Sequence, residues 1–288
     1  MRKFLFKIII FTLPLVLYFG MNSAINYGIY SNQKVDLGQL EVLILGDSHP
    51  QKSIDPELFS KAKNISQQAE PYVLSYWKLK KILESNQLES LVLGFSPHNI
   101  AEFNDYKFSK EKWCSEMFRR SYPIENYKSI DELVSVNYKS FYKTLWKETS
   151  FYPTTEHQNF IGKYSKNESS DISDWQKIIK RHYYWKNEQL GLSELSISYL
   201  DSIVKISNKH NIKLILAGSP IHEKYSNHIP EEVMKRFEDL KTKYQKQTII
   251  FDRIQNHKYA DSLFFNADHL NEIGAKKFTL DLNNFMKH

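Results

Sequence analysis

Glu41-Val-Leu-Ile-Leu-Gly-Asp-Ser-His-Pro50 decides how this chain folds. Its apolar run, Val42 to Leu45, is short and bounded by turn formers. That is the pattern of a strand buried on both faces of a parallel sheet. Gly46 permits an abrupt exit, and a serine follows between an aspartate and a histidine. A strand-to-helix turn is where α/β folds expose a nucleophile at the carboxyl edge of a sheet, so Ser48 is the first candidate for chemistry. The same residues suit a plainer role, with Asp47 and Ser48 capping the next helix.

Working outward, Asn64-Ile65-Ser66 reads as a short strand or turn, and Leu91-Val-Leu-Gly94 as another buried strand. Ile212 to Ala217 and Thr248-Ile-Ile-Phe251 complete the set. Helical periods fall between them, at residues 71 to 86, 193 to 209, 230 to 246 and 272 to 286. Asp55 and Pro56 mark a further helix start. Strand and helix alternating at this spacing predict a three-layer α/β/α domain with a mainly parallel, flavodoxin-like sheet. Residues 101 to 190 break the rhythm. They are rich in Lys, Ser and aromatic residues and too long for a plain loop, so they read as a mostly helical insertion over the edge of the sheet. Its rings suit packing within the insertion, and some could stack on sugars.

Residues 4 to 21 are almost wholly apolar, with Arg2, Lys3 and Lys7 on the amino-terminal side. The length fits a membrane helix or a signal core. The best small-residue cleavage site, Asn22-Ser23-Ala24, is poor, so residues 1 to 24 read as an uncleaved signal anchor. Positive charge before the span keeps that end in the cytoplasm and puts the C-terminal domain outside it. Residues 25 to 40 read as a linker and 41 to 288 as the folded domain.

The formal charge of +6 comes from scattered lysines. No basic run tracks with aromatics as nucleic-acid binding requires, and an export signal argues against that function. The single cysteine, Cys114, excludes an internal disulfide and a cysteine-based zinc cluster.

A serine needs a base, and the chain has ten histidines. His49, His98, His222 and His269 lie just beyond predicted strands or in loops that open helices, where ligands of open α/β sheets sit. His269 is the most suggestive, in Phe264-Phe-Asn-Ala-Asp-His-Leu-Asn-Glu-Ile-Gly-Ala275. His49 could donate to substrate, close the site, or be tied beneath the helix. His98 and His222 have no partner by spacing and read as structural.

Gly46-Asp47-Ser48 near the start, with His269-Leu270-Asn271 and Gly274-Ala275 near the end, resembles the SGNH (GDSL-type) hydrolase superfamily. The Gly-Asp-Ser-His form and the membrane anchor are more like its extracytoplasmic branches, which modify bacterial exopolysaccharides or belong to the DltD-like proteins of teichoic-acid D-alanylation. The resemblance covers roughly residues 41 to 100 and 193 to 285. It implies Ser48 as nucleophile and His269 as its general base. The family places an aspartate three residues before the histidine, and here that residue is Asn266. Asp268 is adjacent to His269 and could replace it only if the backbone turns sharply. Asn266 and Asp268 are therefore alternative third members. For the oxyanion hole the resemblance implies the Ser48 amide, a backbone amide at Gln68 or Ala69, and Asn99 or Ser96 after the third strand.

These features imply an extracytoplasmic esterase or O-acyltransferase acting on a cell-surface glycan, with a membrane-embedded acyltransferase as a possible partner. No cofactor is expected, and Asp268 with His269 offers two metal ligands, short of a closed set. The alternative is a non-catalytic surface protein of the same fold that binds glycan or such a partner.

Overall fold

A computed structural model describes residues 1–121, 127–153, 158–168, 170–255 and 259–287. Five parallel strands form its centre: β1 (Val42–Leu45), β2 (Ala62–Asn64), β3 (Ser90–Gly94), β4 (Lys213–Gly218) and β5 (Ile249–Asp252). Their order across the sheet is β2-β1-β3-β4-β5, which is the order of a flavodoxin-like sheet.

Side chains along a strand alternate between faces, and each face of this sheet is apolar. Leu43, Leu45, Leu91, Leu93, Leu214 and Leu216 point to one side. There they meet helices Tyr72–Leu83, Glu194–Lys209 and Glu231–Tyr244 through Leu79, Ile82, Leu200, Ile203 and Phe237. Val42, Ile44, Val92, Ile215 and Phe251 point to the other, against Phe278 and Leu282 of the closing helix Glu272–Lys287. Burial on both faces explains why the strands read as continuous apolar runs rather than alternating ones.

The insertion contains helices Phe103–Ser109, Glu111–Ser121, Tyr138–Thr149 and Trp175–Tyr183 and a short hairpin, Tyr184–Trp185 with Glu188–Gln189. Cys114 is buried beside Met117, Phe118 and Tyr127. Between the helices, the chain crosses the carboxyl edge of the sheet. The amides of Gly162, Ser165 and Asp171 donate to the carbonyls of Ile65, Gln51 and Phe265, and the Glu272 amide donates to Asn167. The insertion thus roofs the carboxyl edge, where open α/β sheets carry their ligand sites.

The amino-terminal helix runs from Arg2 to Asn32, beyond the boundary expected at 24, and is long and apolar enough to span a membrane. The segment read as a linker is largely part of the domain. Val35, Leu37 and Leu40 are buried in the core, and the Asn86 side chain holds the Val35 carbonyl and the Leu37 amide. Single apolar residues separated by polar ones read as a polar tether in sequence, yet each finds a pocket.

Candidate active site

The exit from β1 is built for close approach. Gly46 has φ +133°, a region open to glycine and costly for other residues. A Cβ there would meet Pro50 Cγ at 2.8 Å, and one on Gly94 would meet Pro50 Cδ at 2.6 Å. The two glycines let helix Ser48–Ser53 settle directly onto the ends of β1 and β3. These adjacent strands connect in opposite directions, so the crevice between them is a topological switch point.

Asp47 and Ser48 divide the two roles foreseen for them. Asp47 is the cap, and its Oδ1 accepts from the His49 amide at 2.9 Å. Ser48 occupies the first helical position, partly exposed, with Oγ 2.8 Å from His269 Nε2. His269 arrives on a hairpin, Phe264–Asn266 with His269–Leu270, whose turn is Ala267-Asp268.

That sharp turn brings both candidate third members to the same imidazole nitrogen. His269 Nδ1 donates to Asn266 Oδ1 at 2.9 Å, and the same oxygen accepts from the His269 amide. Asp268 Oδ1 stands 2.8 Å from Nδ1, but it lies off the line of the N–H bond and makes no well-aligned hydrogen bond among the described residues. Asn266 therefore fixes the tautomer and Asp268 supplies the charge. Asp174, from the insertion, orients the Asn266 amide by accepting from its Nδ2 at 3.4 Å and from the Ala267 amide at 3.3 Å.

Electrostatics suit the pair. Burial lowers the His269 pKa and Asp268 opposes it, leaving a net decrease below the usual histidine value. Neutral His269, protonated on Nδ1, offers Nε2 as acceptor for the Ser48 proton. Burial alone would raise the pKa of Asp268, but His269, His49 and His182 around it hold it well below the carboxylate range.

Asp268 is completely enclosed. Arg181 Nη2 lies 3.4 Å from its Oδ2, His49 Nε2 3.9 Å and His182 Nε2 4.0 Å. Arg181 and His182 come from the insertion and were not foreseen. The Arg-His-Tyr-Tyr-Trp stretch has no motif, and only the tertiary path of helix Trp175–Tyr183 carries it to the site. His182 is held by Tyr225, whose hydroxyl is 2.8 Å from its Nδ1.

His49 is buried beneath the helix rather than open to substrate. Its ring packs between His98, at 4.2 Å, and His269, at 5.0 Å, and its Nδ1 is 3.5 Å from Ser219 Oγ. His98, without a partner by spacing, finds one in space: its Nε2 lies 2.5 Å from Asp47 Oδ2. Burial, reinforced by His49, pushes the His98 pKa down to about 4, so it is a neutral donor that holds Asp47 ionised. His222 pairs with Asp261 at 3.2 Å and caps helix Glu223–Ser226, apart from this cluster.

Of the oxyanion candidates, Asn99 is tied to the Asp47 cap through one of its two N–H groups and to Ser96 through its oxygen. Its Nδ2 donates to Asp47 Oδ2 at 2.8 Å and its Oδ1 accepts the Ser96 amide at 2.9 Å. In the structure it also positions the Asp47 cap. Ala69 has φ +60° in the turn after β2, a conformation that re-aims backbone amides, and no contact among the described residues ties it to Ser48. His49, Asp268 and His269 present nitrogen and oxygen atoms within 4.8 Å of one another. With His269 Nδ1 bonded to Asn266 and Nε2 to Ser48, that set already serves the serine.

The chain matches no family described from sequence and no curated protein. Among solved structures it is similar to a candidate acylhydrolase from Bacteroides fragilis NCTC 9343, at 10% identity over 91% of this chain and 95% of that one, with a TM-score of 0.40. It is also similar to a candidate platelet activating factor from Streptococcus pneumonia, at 11% identity over 96% of this chain and 98% of that one, with a TM-score of 0.41.

Proposed function

We propose that the protein is a serine-dependent acyl-ester hydrolase or acyltransferase, with Ser48 as nucleophile and His269 as general base. The observation that carries this reading is the 2.8 Å contact between Ser48 Oγ and His269 Nε2 at the carboxyl edge of a parallel sheet. Ser48 Oγ attacks the ester carbonyl as His269 Nε2 takes its proton. The tetrahedral adduct collapses, the C–O bond to the alcohol breaks, and the imidazolium returns the proton to the leaving oxygen. Water or a sugar hydroxyl then gives its proton to His269 and attacks the acyl-serine, which releases the acyl group and restores Ser48. The Ser48 amide, at the first helical position, is one oxyanion donor, with the remaining N–H of Asn99 or an amide of the turn at Gln68-Ala69 as the second.

For the substrate, the mouth of the site supports an O-acylated cell-surface polysaccharide with acidic groups. Lys52 lies four residues after Ser48 and so on the same helical face, with its ammonium 4.8 Å over the Phe265 ring. Among the described residues it makes no ion pair. Half-exposed Arg181 stands nearby. Trp175, Ile179, Lys180 and Tyr184, on and after the helix that carries Arg181, line a separate 380 Å³ hollow that includes none of the catalytic residues. The Arg2–Asn32 helix, with its basic start, supports a single-pass protein whose C-terminal domain lies outside the cytoplasm. If the acyl group is transferred to sugar rather than water, its donor comes from a membrane-embedded acyltransferase.

The non-catalytic alternative is favoured by the absence of an aspartate at 266 and of a glycine in the turn at 64 to 70. Asp268 now offers the missing charge, which favours the enzyme. The test is fluorophosphonate labelling of the full chain in detergent, beside Ser48→Ala. Labelling of the wild type alone is expected. Equal labelling of Ser48→Ala overturns the nucleophile, and an unlabelled, folded wild type favours the binding protein. With acylated polysaccharides, Lys52→Gln should raise KM for acidic substrates more than for a neutral ester reporter.

A further inference from the structure

The insertion's most exposed rings do not face the site. Helix Tyr138–Thr149 carries Tyr142 and Trp146, four residues apart and 59% and 51% exposed. Phe151 and Tyr152 continue the patch at 51% and 82%. Lys139, Lys143 and Lys147 repeat at the same interval and form a parallel stripe, and all three are exposed. Among the described residues none of the three makes an ion pair. Aromatic and basic stripes side by side on one helix are the pattern of an interfacial helix.

The amino-terminal helix is locked to the end of this element. Asn26 Nδ2 donates to the Thr149 carbonyl at 2.8 Å and the Phe151 carbonyl at 3.1 Å. Asn22 Nδ2 reaches the Ser150 carbonyl at 3.4 Å, and Ser23 Oγ lies 3.3 Å from Ser150 Oγ. These asparagines satisfy carbonyls that a helix end leaves unpaired. Asn22, Asn26 and Tyr30 are buried at four-residue spacing, so the helix enters the domain as a rigid strut.

Just before the strut lies the height of the membrane surface. Residues 2 to 21 rise about 30 Å, which matches the hydrocarbon thickness of a bilayer. Tyr18 and Phe19 fall at the end of that span. Phe19 packs 4.9 Å from Trp146 and 5.9 Å from Phe151, and Tyr18 lies 6.4 Å from Tyr152. The exposed rings of the insertion are thus continuous with the span at the level where aromatic belts form.

We propose that helix Tyr138–Thr149 with Phe151 and Tyr152 is a foot on the membrane surface. Its rings enter the headgroup–acyl boundary, and Lys139, Lys143 and Lys147 sit on anionic phospholipid headgroups of the same leaflet. The inference rests on the reading of Arg2–Asn32 as a membrane span. It gives the domain a fixed height and orientation, so that the Ser48 site works on substrate at a set distance from the lipid rather than at the end of a swinging tether.

The test uses the full chain in nanodiscs of phosphatidylglycerol and phosphatidylcholine, with a nitroxide on Phe11→Cys, Tyr152→Cys or Lys209→Cys. Cys114 is buried and does not compete. Collisions with oxygen against a nickel chelate report depth. A deep label at 11 and an oxygen-to-nickel ratio at 152 several-fold above that at 209 support the foot. A deep label at 11 with 152 matching 209 overturns the foot and leaves the span intact. A water-exposed label at 11 overturns both. Replacing Lys139, Lys143 and Lys147 with Gln should lower the ratio at 152 in anionic discs, and an unchanged ratio overturns the headgroup contact.

Discussion

His269 Nδ1 donates to the side-chain oxygen of Asn266 at 2.9 Å, while the neighbouring carboxylate of Asp268 sits equally close but out of line. The two tasks usually combined in one aspartate are split here. Asn266 orients the ring and Asp268 stabilises its charged form.

The split predicts the effect of Asn266→Asp. A carboxylate at that position would both accept from Nδ1 and stabilise the imidazolium, raising the pKa of His269. The acidic limb of the kcat/KM profile for an ester reporter should move to higher pH by about one unit. The new charge would also face Asp174, so stability should fall and recover in Asn266→Asp with Asp174→Asn. A profile that does not move would remove Asn266 from the ring's immediate surroundings.

Asp268→Asn should have the opposite sign. Loss of the carboxylate destabilises the imidazolium, so the limb moves to lower pH. Because Asn266 still holds the tautomer, the plateau rate should fall about 10- to 100-fold, short of the ~10⁴-fold that follows loss of the tautomer. Stopped assays across pH 4 to 8 would measure both effects. A loss as large as that of His269→Ala would assign the orienting role to Asp268 instead.

His98 predicts a stability profile. Its pKa is about 4 in the folded protein against an ordinary 6.5. Between those values the unfolded chain binds the proton and the folded chain does not, so stability is lost as pH falls from about 6.5 to 4. Below about 4 both states are protonated and this contribution is constant. Denaturant titrations across the window should show the slope in the wild type and a flatter one in His98→Gln. Equal slopes would place the acid sensitivity elsewhere.

Gly94→Ala tests the seat of the nucleophile. Its Cβ would meet Pro50 Cδ at 2.6 Å, and the helix that opens with Ser48 must lift. Overpacking of this kind costs about 1–3 kcal/mol. Denaturation should show that loss, and fluorophosphonate labelling of the still-folded variant should slow markedly because Ser48 moves relative to His269. Unchanged labelling would mean that the helix position is not set by this contact.

The sequence by itself determined the sheet. Its central strands, β1, β3 and β4, are buried on both faces, so their apolar runs mark them without reference to anything distant, whereas the polar edge strand Ala62–Asn64 begins two residues before the stretch read as a strand or turn. It also marked Ser48 and His269, because each follows a strand and carries local punctuation, Gly46 before one and the loop before the last helix for the other. Asn266 and Asp268 were visible as candidates, but their division of labour depended on the tight turn at Ala267-Asp268, which places both groups on one nitrogen. Asp174, Arg181 and His182 were illegible. They are about 85 to 95 residues from the hairpin they support, inside a stretch whose composition suggests only packing. His98 likewise had no partner along the chain and acquired Asp47 across the switch point. Local periodicity reports which face of an element is buried. Which charges share one buried space is set by how the elements close over the sheet, and here only the tertiary structure decided it.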